Sequence, residues 1–225
     1  MAHLKCNRQI NMKDKYNSFL ELKDSCPKSC KVEYDLKTTS FLIFTPHGGG
    51  IEPGTTEICK WFNMNSYSYY SFTGIGTNCK ELHITSTRFD EPKLGKILSK
   101  HQSAISFHGM TDYKKRKYKA DIFLGGLDRP LINSLEEKLK ASGFTVTTFK
   151  EHPTSSLAAM NPNNVTNKCR GKQGVQIELS ASIRKSFFIG NYRLKNERSK
   201  TTERFERFCK LIKEIIEMSM NKNGL

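Results

Sequence analysis

Ser40-Phe-Leu-Ile-Phe-Thr45 decides the fold, because it runs without a break into Pro46-His47-Gly-Gly-Gly-Ile51-Glu52-Pro53-Gly54-Thr55-Thr56. A continuous apolar run of that length is too short for a helix and rich in β-formers, so it reads as a strand buried on both faces. Similar runs recur at residues 67–72, 104–107, 121–124, 145–149 and 174–179. Helical patterns lie between several of them, at residues 55–62, 92–101 and 130–141, the last closed by Gly143 as a C-terminal cap. Strands alternating with helices of this length predict an α/β domain with a mixed, mostly parallel central sheet flanked by helices.

Two further helices bracket this core. Residues 12–22 read as a short amphipathic helix with Tyr16, Phe19 and Leu20 on one face. Residues 202–219 read as a longer one whose apolar stripe is Phe205, Phe208, Ile212, Ile215 and Met218. The charges of that last helix nearly cancel, which makes it a packing element. No repeat, low-complexity block or Pro/Gly/Ser-rich linker divides the 225 residues, so one domain over 1–225 with its core at about 12–190 is expected.

The chain carries 37 Lys+Arg against 22 Asp+Glu, a formal net charge of +15, while 36% hydrophobic residues suffice for a buried core and exclude a disordered basic tail. A positive folded body attracts polyanions: nucleic acid, an anionic membrane or an acidic polymer. Residues 1–9, with His3, Lys5 and Arg8, lack the apolar core of a signal peptide, and no stretch approaches a bilayer span. Synthesis in a cytoplasm, with no membrane partner, is therefore expected. Seven cysteines form no regular framework, so reduced thiols are expected; Cys26 and Cys30 lack the second ligand pair of a structural zinc site.

Ligands of open α/β sheets bind beyond the carboxyl ends of strands, so polar residues directly after buried runs are the first places to look for chemistry. Three stand out. Gly48, Gly49 and Gly50 lie between His47 and Glu52 and allow a sharp reversal, His108 ends the run Ser106-Phe-His-Gly109, and alternation along Val175-Gln-Ile-Glu178 puts Gln176 on the same face as Glu178. Two histidines and a carboxylate suit a catalytic Zn²⁺ that keeps a fourth position for water. His47, Glu52 and His108 are accordingly the expected ligands of one zinc ion. Glu178 is the expected general base, taking a proton from the activated water as it attacks a carbonyl and passing it to the leaving nitrogen.

These segments carry a resemblance. Pro46-His-Gly-Gly-Gly-Ile-Glu-Pro-Gly-Thr55, His83-Ile-Thr-Ser86, Ser106-Phe-His-Gly109, Gly125-Gly-Leu-Asp128 and Gly174-Val-Gln-Ile-Glu-Leu-Ser180 occur in the order seen in the poly-γ-glutamate hydrolase family of Bacillus phages and bacilli, and the similarity extends from about Tyr16 to Phe188. The resemblance implies a zinc-carboxypeptidase-like fold and a zinc-dependent amidohydrolase that cuts the γ-linked amides of poly-γ-glutamate, with the same ligands and base. Carboxypeptidases place the first His and Glu three apart, whereas His47 and Glu52 are five apart, so the loop differs. Where similar sequences carry Asn-Arg-Gly, this chain has Asn167-Lys168-Cys169-Arg170-Gly171; the resemblance implies substrate binding there by Asn167 and by Arg170 or Lys168, with the planar fork of Arg170 preferred.

Five cations in the seven residues 113–119, among them Lys114, Lys115, Arg116 and Lys117, follow soon after His108 and are read as a rim that tracks the polymer carboxylates, with Arg184, Lys185, Arg193 and Lys195 adding to it. Gln176 and His83 are included among the substrate-binding residues. No dinucleotide fingerprint, P-loop or Gly-x-Ser-x-Gly elbow occurs. A basic nucleic-acid-binding module is the reading of another class, but no nucleic-acid fold signature accompanies the charge. A zinc carboxypeptidase or amidase acting on peptides or γ-glutamyl wall links is the nearer alternative. A monomer is expected, reaching an extracellular polymer after release by lysis.

Overall fold

The computed structural model describes residues 14–112 and 120–223. Its sheet has seven strands: β1 (Cys30–Asp35), β2 (Phe41–Gly49), β3 (Ser68–Gly74), β4 (Ser103–Gly109), β5 (Ile122–Gly126), β6 (Val146–Thr148) and β7 (Gly174–Leu179), in the order β1-β3-β2-β4-β7-β5-β6. The middle four, β3, β2, β4 and β7, are parallel. β1 and β5 pair antiparallel to their neighbours β3 and β7, and β6 follows β5 in parallel. The sheet is thus mixed and mostly parallel, as the alternation of elements predicts.

Both faces are covered. On one, Phe41 and Ile43 of β2, Ile105 and Phe107 of β4 and Ile177 of β7 pack against α2 (Thr55–Met64), α4 (Arg129–Ala141) and α6 (Glu203–Asn223). On the other, Leu42, Phe44, Tyr70 and Phe72 meet Leu22 of α1 (Phe19–Ser25) and Leu94, Ile97 and Leu98 of α3 (Pro92–Leu98). Burying each such aromatic or aliphatic side chain contributes about 1.5–3 kcal/mol relative to leaving it in water. Within α6 the stripe runs through Phe205, Phe208, Ile212, Ile215 and Ile216; Met218, expected in it, is 53% exposed.

Local chemistry explains the other departures. The Ser18 hydroxyl accepts from the Glu21 N–H and starts α1 at Phe19, later than the expected residue 12. β1 was not foreseen: Lys31 and Glu33 alternate with Val32 on an edge strand that is half exposed, so no apolar run marks it. The short α5 (Ala181–Ser186) starts where the Ser180 hydroxyl caps the Ile183 N–H directly after β7. The six described cysteines are free thiols.

The fold's decisive irregularity lies at the end of β2, where the register against β3 shifts between Thr45 and Gly48. Such a bulge re-aims side chains. It turns His47 to the face that holds Ile84 and Phe89, beside His108, where strict alternation from Ile43 and Thr45 would have turned it toward α2. Gly48 permits the bulge, because a Cβ there would collide with the hydroxyls of Thr56 and Ser71, which are bonded to each other at 2.9 Å. Gly48→Ala is expected to destabilise the protein by about 1–3 kcal/mol, the usual cost of an added methyl in a packed interior, as read from urea unfolding midpoints.

Candidate metal centre

His47 lies on the bulge of β2 and is 1% exposed. Its Nε2–H donates to the Ile84 carbonyl at 2.8 Å, which leaves Nδ1 as the inward-facing atom. The chain then folds back through Gly48–Gly50: the Glu52 N–H donates to the His47 carbonyl at 2.9 Å, and Gly49 holds φ +66°, a left-handed conformation that glycine adopts without strain. The reversal brings Glu52 Oε1 to 3.2 Å from His47 Nδ1. From β4, His108 presents its own Nδ1 3.2 Å from His47 Nδ1 and 3.8 Å from Glu52 Oε2. The Gly109 N–H steadies Glu52 Oε2 at 2.8 Å.

One ligand atom from each of His47, Glu52 and His108 lies within 4.8 Å of the others. With the His47 proton on Nε2, its Nδ1 and the carboxylate oxygen face each other as lone pairs, an arrangement that needs a cation between them. Without a metal, a proton takes that place. Burial pulls the His47 imidazole toward neutrality, yet the Glu52 charge and hydrogen bond outweigh it and raise its pKa, and the same pair holds Glu52 well below the usual carboxylate range against its own burial. Burial brings His108 down to about 3, against the pull of Glu52, so it is a neutral imidazole, the form that binds metal. The donor set of two imidazole nitrogens and a carboxylate oxygen fits Zn²⁺ in a catalytic site with an open position.

Glu178 is brought to this centre. It is the register partner of His108 on the adjacent parallel strand, is 6% exposed, and its charge is felt by His47. His83 reaches the edge of the centre: its Nδ1 is 2.7 Å from Asp14 Oδ1, its Nε2 is 4.0 Å from Glu52 Oε1, and its ring lies 4.1 Å from that of His47, tilted by 34°. Asp14, which also accepts from the Thr85 N–H at 2.7 Å, fixes this ring and was not foreseen.

Of the other expected substrate contacts, Gln176 stands beside Glu178, whereas Arg170 and Lys168 lie toward the other end of the strands. Arg170 bonds Gln102 through Nε at 3.1 Å, and its N–H bonds the His101 carbonyl, just before the start of β4. His108 ends that strand, so the two lie roughly 20 Å apart at about 3.3 Å per residue. Lys168 is an exposed residue of the neighbouring 3₁₀ turn Val165–Lys168. Asn167 is buried and spent on the fold, donating to the Ala159 and Asn161 carbonyls and accepting from the Leu127 and Gly174 N–H groups. Gln176 is 3% exposed with both ends of its amide engaged, by Asn164 and Glu178. Arg184, counted as a rim cation, is instead 6% exposed and donates to the carbonyls of Leu179, Pro53 and Met110, which braces the chain beside Glu52. The expected rim of Lys114, Lys115, Arg116 and Lys117 lies outside the described residues.

A mixed sheet flanked by helices that brings two imidazoles and a carboxylate together at the carboxyl ends of adjacent parallel strands, with a further carboxylate in register beside them, defines an α/β protein with a candidate single-metal centre. Residues 16–211 match the model of the poly-gamma-glutamate hydrolase family, and the chain belongs to that family. It is 38% identical over 180 residues to the SPbeta prophage-derived protein YoqZ of Bacillus subtilis strain 168, covering 78% of this chain and 62% of that relative's length. Among solved structures it is similar to a bacteriophage poly-gamma-glutamate hydrolase, with 32% identity and a TM-score of 0.84 over 93% of this chain and 99% of that one. The zinc-free apo form of YndL, a Bacillus subtilis protein, is similar to the same degree, with 34% identity and a TM-score of 0.84 over 92% and 99% of the two chains.

Proposed function

We propose that the protein is a zinc-dependent hydrolase that cleaves the γ-amide bonds of poly-γ-glutamate. The observation that carries the reading is the convergence of His47, Glu52 and His108 with Glu178 in register beside them. Support for the metal comes from the donor set and from YndL, whose apo form is the zinc-free one. Support for the substrate comes from the family and from a net charge of +15, which suits a polymer bearing one carboxylate per repeat.

Bound there, Zn²⁺ would act as a Lewis acid on the amide carbonyl and on a water in its open position. The chain's own residues do the rest. The Ile84 carbonyl and the Gly109 N–H hold His47 and Glu52 in ligating orientation. Glu178 takes the proton from the attacking water and returns it to the leaving amine nitrogen. His83, held by Asp14 at the edge of the centre, contacts the polymer, and Lys114, Lys115, Arg116 and Lys117 track its carboxylates. The protein acts as a monomer, reaching the polymer by lysis; among the described residues no helix is long and apolar enough to cross a membrane.

Metal analysis combined with product sizing on purified poly-γ-glutamate tests the reading. The expected result is about one zinc per chain and a shortened polymer, with cleavage lost on chelation and restored by zinc. A zinc-loaded protein that leaves the polymer intact, but trims peptide C-termini or γ-glutamyl wall fragments, would move the assignment to the carboxypeptidase or amidase alternative. A zinc-free protein retaining nucleic acid would move it out of this class.

A further inference from the structure

Behind Glu178 stands a buried chain of amides. The Asn164 side chain, 4% exposed and leading into the 3₁₀ turn Val165–Lys168, accepts from the Thr166 backbone N–H through Oδ1 at 3.0 Å and donates from Nδ2 to Gln176 Oε1 at 3.0 Å. Gln176 in turn donates from Nε2 to Glu178 Oε1 at 2.9 Å and, more weakly, to the Leu157 carbonyl at 3.5 Å. Amide oxygen and nitrogen are distinguished only by their partners, and here the partners leave no choice. A backbone N–H can only donate, so Asn164 must turn its oxygen to Thr166 and its nitrogen to Gln176. Gln176 must then turn its oxygen to Asn164 and its nitrogen to Glu178. The polarity of one backbone group is relayed through two side chains to the carboxylate.

We infer that Asn164 is a positioning residue for the reaction: through Gln176 it presents an N–H to Glu178 and so orients that carboxylate as a proton acceptor. The inference rests on Glu178 being the base, as proposed above. A wrongly turned Gln176 would aim a carbonyl oxygen at the carboxylate, and two buried acceptors facing each other repel. Asn164 and Gln176 therefore act on turnover without touching the substrate.

The test is the isosteric Asn164→Asp, which keeps an oxygen for the Thr166 N–H but replaces the donor toward Gln176 with an acceptor. Gln176 is expected to turn over, and kcat on poly-γ-glutamate to fall about 10–100-fold while KM changes by less than about threefold, less than the roughly 10²–10⁴-fold that a general base contributes because the base is misoriented rather than removed. Asn164→Ser, whose hydroxyl can still cap the turn but is too short to reach Gln176, is expected to lie between wild type and Asn164→Asp. In the metal-free, ¹⁵N-labelled protein the Gln176 side-chain N–H signals are expected to show NOEs to Glu178, and in Asn164→Asp to show them to residue 164 instead. Unmoved NOEs, or a folded Asn164→Asp enzyme with wild-type kcat, would overturn the inference. If Asn164→Asp does not fold, a wild-type kcat in Asn164→Ser overturns it. Unimpaired turnover in Glu178→Gln would overturn the base assignment instead, a different outcome on a different variant.

Discussion

Glu178→Gln is expected to lower kcat on poly-γ-glutamate by about 10³-fold, near the middle of the range for loss of a general base, with KM within a few-fold and zinc content unchanged. The substitution is nearly isosteric, so the packing beside His108 survives, and the new amide oxygen can still accept from Gln176 Nε2. What disappears is a site able to hold the proton. Glu178 faces the centre from β7 while His47, Glu52 and His108 converge from β2, β4 and the loop between β2 and α2, so removing its charge leaves the donor set intact. Stability should hold or rise slightly, because a buried carboxylate is replaced by a neutral group. Steady-state kinetics and metal analysis on the same preparation check the prediction. A variant that loses its zinc would make Glu178 part of the metal site, and one that keeps kcat would leave the reaction without a base.

The readability of this centre follows from where its residues come from. His47, His108 and Glu178 sit at the ends of apolar runs that any α/β pattern exposes, and the glycine triplet announces the reversal that delivers Glu52. The sheet's parallel middle was legible for the same reason. Residues that support the centre arrive from loops remote in sequence: Asp14 reaches His83 across 69 positions, and Asn164 reaches Gln176 from a turn with no periodic signal. A count of cations does not reveal Arg184, because its guanidinium is consumed by three carbonyls and buried. The motif of Arg170 lies just before β7 and therefore at the amino end of the parallel strands, opposite Glu178, which residue types alone do not disclose. The bulge that aims His47 leaves no trace in composition; only the register between β2 and β3 reveals it.

His108→Ala is expected to abolish both zinc binding and hydrolysis, and the thermal response separates this from simple damage to the fold. A metal that binds only the native state stabilises it by about 4 kcal/mol at a thousandfold excess over its Kd. For a chain of this size that corresponds to a rise in Tm of roughly 8–16 °C. The wild-type protein, stripped by chelator and reloaded, should show the rise. His108→Ala should not, because one imidazole and one carboxylate remain and a two-ligand site cannot hold the ion against water. His108 is the informative ligand to remove. His47 also anchors Ile84, and Glu52 also anchors the Gly109 N–H, whereas His108 Nε2 has no hydrogen-bond partner among the described residues, so its loss breaks no other polar contact through that atom. The metal-free variant should therefore lose about 2–5 kcal/mol of stability, the scale of large-to-alanine changes in a core, together with the Nδ1 contact to His47, and its Tm should fall accordingly. Differential scanning calorimetry with and without zinc reads both quantities. A zinc-dependent rise that persists in His108→Ala would place the ion elsewhere and remove the centre on which the proposed reaction depends.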